Sequence, residues 1–306
     1  MPGFTLVNFQ ARDGVRAGAV VEGRVFELAK LTGHAEDDTI RGLLADWQYG
    51  HDRIVTALSR GAHSDSIALG NAKLLAPVLY PGAIYCAGSN YQDHADEMAA
   101  RSGRGPEPDP HTLGLKPWHF IKATTAVTHP GATVTLPRAA KNVDWEVELA
   151  AVIGRICKDV PQSRALDHVA GYLCANDLSA RDLGTREGLP PSNPFRADWT
   201  AHKSFDGSCP LGPWIVPADQ VGDPQRLALK LWVNGVIKQD SNTSKMIFTL
   251  AEQIEQLSSR ITLHPGDIVL TGTPAGVGAG RGEFLKPGDE VEIWIEKIGT
   301  LTNKMA

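Results

Sequence analysis

The sequence predicts a mainly β protein of mixed α+β class, with a small N-terminal α+β domain followed by a larger strand-rich domain. Short apolar runs of strand length recur along the chain, separated by turns rich in glycine and proline. The Asn234-Gly235 pair between two apolar runs is typical of a tight β-hairpin. Two Pro-Gly-Asp turns, at 265–267 and 287–289, each precede a further apolar run. Many strands and few helices favour a sandwich, roll or barrel.

Residues 1–75 are predicted to form the small domain. The segments "FTLVNF" and "GAVVEGRVFEL" have the character of short strands joined by a glycine turn. The segment "TIRGLLADWQYGHDRIVTALSRG" carries apolar residues at three- and four-residue spacing, which predicts a helix. We place the domain boundary between Leu69 and Pro77.

The larger domain, residues 76–306, is predicted to contain most of the strands. "AIYCAGS", "VELAAVIG" and "LALKLWVNG" have strand length and composition, and "VELAAVIG" is apolar enough to be buried on both faces. "DEVEIWIEKIG" alternates between acidic and branched apolar residues, as a half-exposed strand does. "TLAEQIEQLSSRI" predicts a helix that begins near Thr249.

Composition restricts the classes of function. The formal net charge of the 306 residues is −5, which argues against nucleic acid as a partner. No apolar run approaches membrane-spanning length, so no membrane partner is expected. The four cysteines are widely spaced and are expected to be reduced and buried. The N-terminus lacks the pattern of a secretory signal, so a cytoplasmic location is expected.

Three carboxylates stand at the ends of two predicted strands. Glu146 and Glu148, in "DWEVELAAVIG", leave the same face of a strand because they are two residues apart. Asp177 ends the apolar run "GYLCAND". A hard divalent cation, Mg²⁺ or Mn²⁺, would offset the repulsion among the three. The alternative is an exposed acidic strand face, and Asp144 is expected at the rim of the site or behind its ligands.

A histidine and a glutamate share one face of a predicted helix in "SNYQDHADEM". His94 and Glu97 are three residues apart, so the carboxylate can polarise the imidazole to take a proton from water. The alternative is a solvated helix surface. The glycine- and proline-rich segment that follows predicts a mobile loop, so residues 90–115 are expected to form a lid.

Three further residues are candidates from their local sequence. Lys203, in "AHKSFDGSCP", can stabilise an enolate or bind a carboxylate, or is an ordinary surface lysine. Thr273, in "VLTGTPAGVG", can help a tight turn to hold a substrate carboxylate, or belongs to a structural turn. Arg181, in "ARD", forms either a structural salt bridge or a support for the metal ligands.

The order of these motifs carries more information than any one of them. Between residues 76 and 306, "GSNYQDHADE", "DWEVELAAVIG", "GYLCANDLSARD", "HKSFDGSCPLGP" and "GDIVLTGTPAGVG" resemble the fumarylacetoacetate hydrolase superfamily. Within it, the chain is similar to the small bacterial branch of acylpyruvate hydrolases, oxaloacetate decarboxylases and homoprotocatechuate-pathway isomerase/decarboxylases. The resemblance implies the family's β-sandwich roll with a small N-terminal domain, and a homodimer.

The resemblance also implies roles for the candidate residues. It assigns the metal, which would be Mg²⁺, Mn²⁺ or Ca²⁺, to the three carboxylates, and the activation of water to the dyad on the lid. Lys203 becomes the active-site lysine, and three residues are placed at the substrate. The ligands are Glu146, Glu148 and Asp177, the dyad is His94 and Glu97, and the substrate residues are Thr273, Lys122 (in "HFIKATTAV") and Arg181.

The expected function is hydrolysis of a carbon–carbon bond in an acylpyruvate- or fumarylpyruvate-like diketo acid, through an enolate held by the metal and Lys203. The alternatives are a 2-oxo acid decarboxylase or tautomerase on the same site, and a non-catalytic binder of metal or small molecules. A binder would not need the His94–Glu97 dyad. The chain departs from the family pattern at Gly184, where glutamine is common, and in its longer segments after Glu97 and at 185–202. These departures leave substrate identity open.

Overall fold

The computed structural model describes residues 3–61 and 65–306, and within these ranges the chain forms nineteen strands. Most of them pair antiparallel, and three pairs are parallel. The strands are β1 (Thr5–Ala11), β2 (Gly14–Val21), β3 (Arg24–Glu27), β4 (Ser66–Ala68), β5 (Leu74–Leu75), β6 (Ile84–Ala87), β7 (His119–Lys122), β8 (Val127–Thr128), β9 (Thr133–Val134), β10 (Val143–Asp144), β11 (Val147–Ile153), β12 (Val169–Asn176), β13 (Ser179–Ala180), β14 (Cys209–Pro217), β15 (Ala228–Val233), β16 (Val236–Asn242), β17 (Ile268–Leu270), β18 (Glu290–Ile295) and β19 (Gly299–Met305).

Helices connect these strands and cover the sheets, which confirms the mixed α+β class. Within the same ranges none of them is long and apolar enough to cross a membrane. The α-helices are α1 (Leu28–Thr32), α2 (Ile40–Ala45), α3 (Trp47–Ser59), α4 (Gln92–Arg101), α5 (Gln162–Ala165), α6 (Trp199–Lys203), α7 (Ala218–Val221), α8 (Leu250–Arg260) and α9 (Gly278–Arg281). Short 3₁₀ turns lie at Ala35–Asp38, Leu69–Asn71, Pro110–Leu113, Thr124–Ala126, Leu166–His168, Arg181–Leu183 and Thr243–Lys245.

The N-terminal strands form as predicted, but the predicted single helix is two helices. Strands β1 to β3 form an antiparallel meander. The helix prediction over 39–61 is wrong at Asp46, whose backbone leaves the helical region (φ −133°, ψ 51°) and separates α2 from α3. At Gly50 the backbone of α3 lies so close to Leu43 that a Cβ would come within 2.7 Å of its side chain. The break therefore lets the two helices pack closely against each other.

A twelve-stranded sheet runs through the whole molecule. Its path is β4-β3-β2-β1-β14-β12-β11-β17-β6-β7, with β5 paired to β1 and β8 paired to β14. The pairing of β1 with β14 at Leu6 and Ile215 joins the N-terminal meander to the larger part of the chain. A second sheet of five strands has the order β16-β15-β18-β19-β9. The boundary near residue 75 stays a prediction.

The core lies on both faces of the large sheet, and β11 shows why its sequence is apolar throughout. Leu149 and Ala151 pack into the cluster shared with the five-stranded sheet and α8. Ala150 and Val152 point the other way, into the cluster shared with α2 and α3. Every residue of β11 is buried, which confirms the prediction of a strand covered on both faces.

The predicted turns and caps form where the sequence places them. Asn234 and Gly235 both have positive φ, as a tight two-residue hairpin between β15 and β16 requires. The two Pro-Gly-Asp turns lead into β17 and β18, and β18 alternates between exposed and buried residues. Thr249 caps α8 in a reciprocal capping box with Glu252. The four cysteines are free and buried, as expected.

Candidate metal centre and active site

Three buried carboxylates meet where β11 and β12 lie side by side. Glu148 is in β11 and Asp177 follows β12, and the antiparallel register of Val147 opposite Asn176 brings these strand ends together. Glu146 lies just before β11 rather than inside it, and its N–H is held by the Asn176 side-chain oxygen at 3.0 Å. Oxygen atoms of all three carboxylates lie within 4.8 Å of one another. The structure thus places the three predicted ligands in one cluster.

Two buried lysines neutralise part of this cluster. The Lys203 ammonium donates to Glu146 Oε2 at 2.9 Å and to Asp177 Oδ2 at 2.6 Å. Lys122 is fully buried and donates to Asp177 Oδ1 at 2.6 Å and to the Leu178 carbonyl at 3.1 Å. Lys203 is therefore no surface lysine, and Lys122 lies behind Asp177. Direct contact of either lysine with substrate stays a prediction.

Arg181 and Asp144 form a support on the other side of Glu146. The Arg181 guanidinium donates to Glu146 Oε1 and, at 2.9 Å, to Asp144 Oδ2. Asp144 is fully buried and accepts the N–H groups of Gly278 (2.6 Å) and Ala279 (2.9 Å). Asp144 thus holds Arg181 in place behind the ligands. In this structure the contacts of Arg181 match the predicted support of the metal ligands, and its predicted contact with substrate remains a prediction.

The neighbouring charges shift the pKa values of Glu146 and Glu148 in opposite directions. Burial raises the pKa of Glu146, but the ammonium of Lys203 and the guanidinium of Arg181 outweigh burial and hold it well below its usual value. Burial raises the pKa of Glu148 well above its usual value, and the charges of Asp177 and Glu146 raise it further. Glu146 is therefore ionised, whereas an ionised Glu148 is strongly disfavoured unless a cation joins it.

The environment of Glu148 is suited to a bound metal ion. It is 1% exposed and accepts the Gly272 N–H at 2.7 Å. Among residues 3–61 and 65–306 it has no ion-pair partner, unlike Glu146 and Asp177. A hard divalent cation with oxygen ligands suits a cluster of three carboxylates, and it would supply the missing positive charge. The donor set therefore fits Mg²⁺ or Mn²⁺.

The predicted dyad lies together on α4. His94 Nδ1 is 3.6 Å from Glu97 Oε2, just beyond hydrogen-bond distance, and this buried nitrogen has no other partner in the described part of the chain. His94 is near enough to the cluster to help lower the pKa of Glu146. Glu97 also accepts the Gly276 N–H through both oxygens, at 3.1 and 3.0 Å. The position of Glu97 thus depends on the backbone at Gly276, just before α9, as well as on α4.

The predicted lid is held against the site in this structure. At the start of α4, Asp93 accepts the Ala275 N–H at 3.2 Å and pairs with Lys245. At the far end of the segment, His111 Nε2 lies 3.1 Å from Glu252 Oε1 on α8. These contacts describe a docked position of the lid. Its opening stays a prediction.

Two buried amides that the sequence analysis did not select organise the site. Gln239 donates to Thr273 Oγ1 and to the Pro274 carbonyl, both at 2.8 Å, and accepts the Val147 N–H at 3.0 Å. It therefore ties the turn of Thr273 to the strand of the glutamates. Asn176 holds the backbone of Glu146. Only the position of Asn176, next to Asp177, offered a sequence signal, because Gln239 follows the Asn234-Gly235 hairpin and is distant in sequence from every motif of the site.

The two unusual features near "ARD" form a compact structure. A Cβ at Gly184 would lie 2.9 Å from the His202 ring, so the glycine makes room for that histidine. The 185–202 segment closes on itself through a bridge between Thr185 and Ala197, and Asp198 caps α6.

A separate cavity of about 1200 Å³ lies between the N-terminal part and β17 and is lined in part by Tyr80. It contains none of the predicted site residues.

Comparison with known proteins identifies the relatives of this chain. Residues 83–306 match the family described as "Fumarylacetoacetate (FAA) hydrolase C-terminal". A 2,4-didehydro-3-deoxy-L-rhamnonate hydrolase of Sphingomonas sp. (strain SKA58) is 41% identical over 249 residues, covering 80% of this chain and 81% of the relative. The mitochondrial oxaloacetate tautomerase FAHD2B of Homo sapiens is 42% identical over 233 residues, covering 76% of this chain and 68% of the relative.

A solved structure of a related enzyme is similar to this chain over nearly its full length. The crystal structure of maleylpyruvate hydrolase from Sphingobium sp. SYK-6, in complex with manganese(II) ion and pyruvate, superposes with a TM-score of 0.76 at 30% sequence identity. The match covers 99% of this chain and 98% of that one. Both the N-terminal part and the larger part of the chain are therefore included in the likeness.

Proposed function

This chain belongs to the fumarylacetoacetate hydrolase family, and we propose that it is a divalent-metal-dependent hydrolase that cleaves a carbon–carbon bond in an acylpyruvate-like diketo acid. The observation that carries the proposal is the buried, uncompensated Glu148 beside Glu146 and Asp177, with a histidine–glutamate pair on α4 that is near enough to act on the pKa of Glu146. The manganese and pyruvate in the structure of the maleylpyruvate hydrolase support Mg²⁺ or Mn²⁺ as the ion and a 2-oxo acid as the product.

The chain's own residues divide the reaction among them. Glu146, Glu148 and Asp177 would hold the divalent ion, which when bound would supply a Lewis acid for the 2-oxo acid end of the substrate. His94 Nδ1 faces Glu97, so Nε2 is the atom that takes a proton from water. The resulting hydroxide attacks the distal carbonyl, the bond to the central carbon breaks, and the His94 imidazolium gives its proton to the enolate carbon, which yields a carboxylic acid and a 2-oxo acid. The Lys203 ammonium stabilises the negative charge of the leaving enolate, and Thr273 binds the substrate carboxylate.

Tautomerisation or decarboxylation of an oxaloacetate-type 2-oxo acid is the second candidate. The observation that favours it is the 42% identity to the human oxaloacetate tautomerase. Both reactions pass through an enolate and need no attacking water. They would therefore depend on Lys203 and the carboxylates more than on His94.

Activity assays of two variants test the proposal. We expect His94→Ala and Glu97→Ala to lower kcat for hydrolysis of acetylpyruvate by roughly 10²–10⁴-fold while Mn²⁺ still binds. Arg101→Ala, on the exposed end of the same helix, is the matched control. Loss of hydrolysis with oxaloacetate turnover retained would show a site that serves both reactions. If the Mg²⁺- and Mn²⁺-loaded wild type turned over no diketo acid and no oxaloacetate, the proposal would be wrong.

The homodimer that the resemblance implies is also part of the proposal. Light scattering on the purified chain measures its mass directly. A mass near twice the 32.9 kDa of the chain is the expected result. A monomer at micromolar concentration would contradict it.

A further inference from the structure

Three aromatic side chains from two segments form one surface, which we call the aromatic wall: Trp118 and Phe120 at β7, and Trp199 on α6. The Phe120 and Trp199 rings stack at 5.1 Å, and Trp118 meets Trp199 edge-on at 5.9 Å. Trp118 and Trp199 are each 46% exposed. Because these exposed rings contact one another, they form a contiguous aromatic patch, which is typical of a binding surface in a way that a single exposed ring is not.

The aromatic wall is built on the same two elements that supply the lysines of the metal centre. Trp199 and Lys203 are four residues apart on α6, which places them on one face of the helix. Phe120 and Lys122 are two apart on β7 and leave the same face of that strand. The Lys203 ammonium lies 5.0 Å from the centre of the Phe120 ring. The aromatic wall therefore begins at the carboxylate cluster and extends from it to the surface.

Two glycines leave the space that the rings of the aromatic wall and the adjacent His202 occupy. A Cβ at Gly88, just after β6, would collide with the Trp118 ring, so only glycine lets that ring lie against the backbone. Gly184 makes room in the same way for His202, whose ring packs 5.7 Å from Trp199. Burial and the nearby charge of Lys203 lower the pKa of His202 to about 3, so this ring is neutral near pH 7.

The cations of the neighbouring 185–198 segment already have partners. Arg186 donates to Asp198 at 2.6 Å and to the Phe195 carbonyl at 2.6 Å. Arg196 donates to the Leu189 carbonyl. The charge of Arg186 is thus already paired within the segment, and a neutral ring would contact the indole faces without needing a cation.

We propose that the aromatic wall binds the acyl substituent on the far side of the cleaved bond, and that this substituent is a neutral aromatic or bulky apolar group rather than a carboxylate. The proposal rests on the proposed function, because the metal centre would fix the 2-oxo acid end. The distal group then lies along the direction in which Trp199 and Trp118 extend from Lys203. The substrate class is therefore an aroylpyruvate-like diketo acid.

Binding of inert 2-oxo acids to the Mn²⁺-loaded protein tests this without turnover. The probes are 4-phenyl-2-oxobutanoate, 2-oxopentanoate and 2-oxoglutarate, which lack the carbonyl that would be attacked, and calorimetry gives each Kd. We expect the phenyl compound to bind about tenfold tighter than the other two. Trp199→Ala should remove that preference and Trp199→Phe should keep most of it. Tyr49→Ala, which removes an exposed aromatic from α3, is the control.

Each outcome decides the question. If 2-oxoglutarate binds as tightly as the phenyl compound, or if Trp199→Ala leaves the preference unchanged, the inference is wrong although the proposed function stands. A change of oligomeric state in Trp199→Ala with the preference intact would also overturn it, because the aromatic wall would then be an interface. If no 2-oxo acid binds, the proposed function fails first. Trp118→Leu repeats the test should Trp199→Ala not fold.

Discussion

Glu148 is buried beside two other carboxylates, and the Gly272 N–H is its hydrogen-bond donor. Lys203 and Lys122 neutralise its neighbours but not Glu148 itself. At the scale of single residues, the site is thus a nearly balanced set of buried charges that lacks one positive partner. Removing one member of such a set has consequences much larger than those of a surface substitution.

We predict that Glu148→Gln abolishes tight metal binding without unfolding the protein. The loss of one of three anionic ligands should weaken Mn²⁺ binding on the order of 100-fold. The metal-free variant should melt no lower than the metal-free wild type, because burial and the neighbouring carboxylates already favour a neutral group at this position. Calorimetric titration and thermal melts measure both effects, with Glu290→Gln on the exposed face of β18 as control. Unchanged Mn²⁺ affinity would place the metal elsewhere.

His119 should make the protein sensitive to acid. Burial lowers the pKa of His119 to about 4, against about 6.5 in the unfolded chain, although the nearby Gln253 side chain acts in the opposite direction. The unfolded state therefore binds more protons between these values, so stability is complete above pH 6.5 and falls as pH drops towards 4. Between pH 7 and 4.5 this histidine should account for ~2–3 kcal/mol of lost stability.

Urea unfolding at the two pH values checks the effect of His119. Between the two pH values, the free energy of unfolding should fall by ~2–3 kcal/mol more in the wild type than in His119→Gln. His34→Gln, at an exposed position, should behave as the wild type. An equal loss in the wild type and His119→Gln would mean that other groups cause the acid sensitivity.

At the scale of helices and strands, helices α4 and α8 each have two roles. Helix α4 carries the dyad and is docked by its acidic side chains onto the 275–276 backbone. Helix α8 closes the core on one face, and its capping residue Glu252 also contacts His111 of the lid segment. A change in the cap of α8 therefore acts on the core and on the docking of the lid.

Thr249→Ala should cost about 1 kcal/mol of unfolding free energy, because the first turn of α8 loses the side-chain acceptor for the Glu252 N–H. Ser259→Ala, in the last turn of the same helix, lacks this role and is the matched control. Urea unfolding at constant pH measures both variants. Equal stability of the two would mean that the capping box contributes nothing measurable.

At the scale of the whole molecule, the N-terminal part and the larger part share one hydrophobic cluster. Leu43 and Ile54, from α2 and α3, pack in the same cluster as Val152 and Leu173 of the central sheet. The β1–β14 pairing continues the hydrogen-bonded sheet across the two parts. The sequence boundary near residue 75 therefore does not separate two independent cores.

We predict that the full chain unfolds in a single cooperative transition and that residues 76–306 alone do not form a stable fold. Removing residues 1–75 uncovers the apolar face of β11 and β12 on the side of α2 and α3. Differential scanning calorimetry of the full chain, and dye binding by the fragment, provide the measurements. Two separate transitions, or a fragment that is monodisperse and binds Mn²⁺, would contradict this prediction.

The sequence by itself determined the features that depend on local spacing. The hairpin at Asn234-Gly235, the cap at Thr249 and the buried strand β11 follow from preferences within a few residues. The membership of the family was also readable, because its motifs occur in a fixed order along the chain, and the match over 83–306 confirms it. The break at Asp46 was not predicted, since the apolar spacing continues through it.

Only the tertiary structure decided which distant side chains meet. Glu146 and Asp177 are linked through Lys203, and Gln239 joins the Thr273 turn to β11, across separations of tens to more than ninety residues. The aromatic wall likewise needs β7 and α6 to be neighbours. Periodicity specifies the face from which a side chain leaves its element, but packing of the sheets specifies what lies opposite that face. That is why the three clustered carboxylates could be selected from the sequence, whereas the charge balance and the surface that would select the substrate could not.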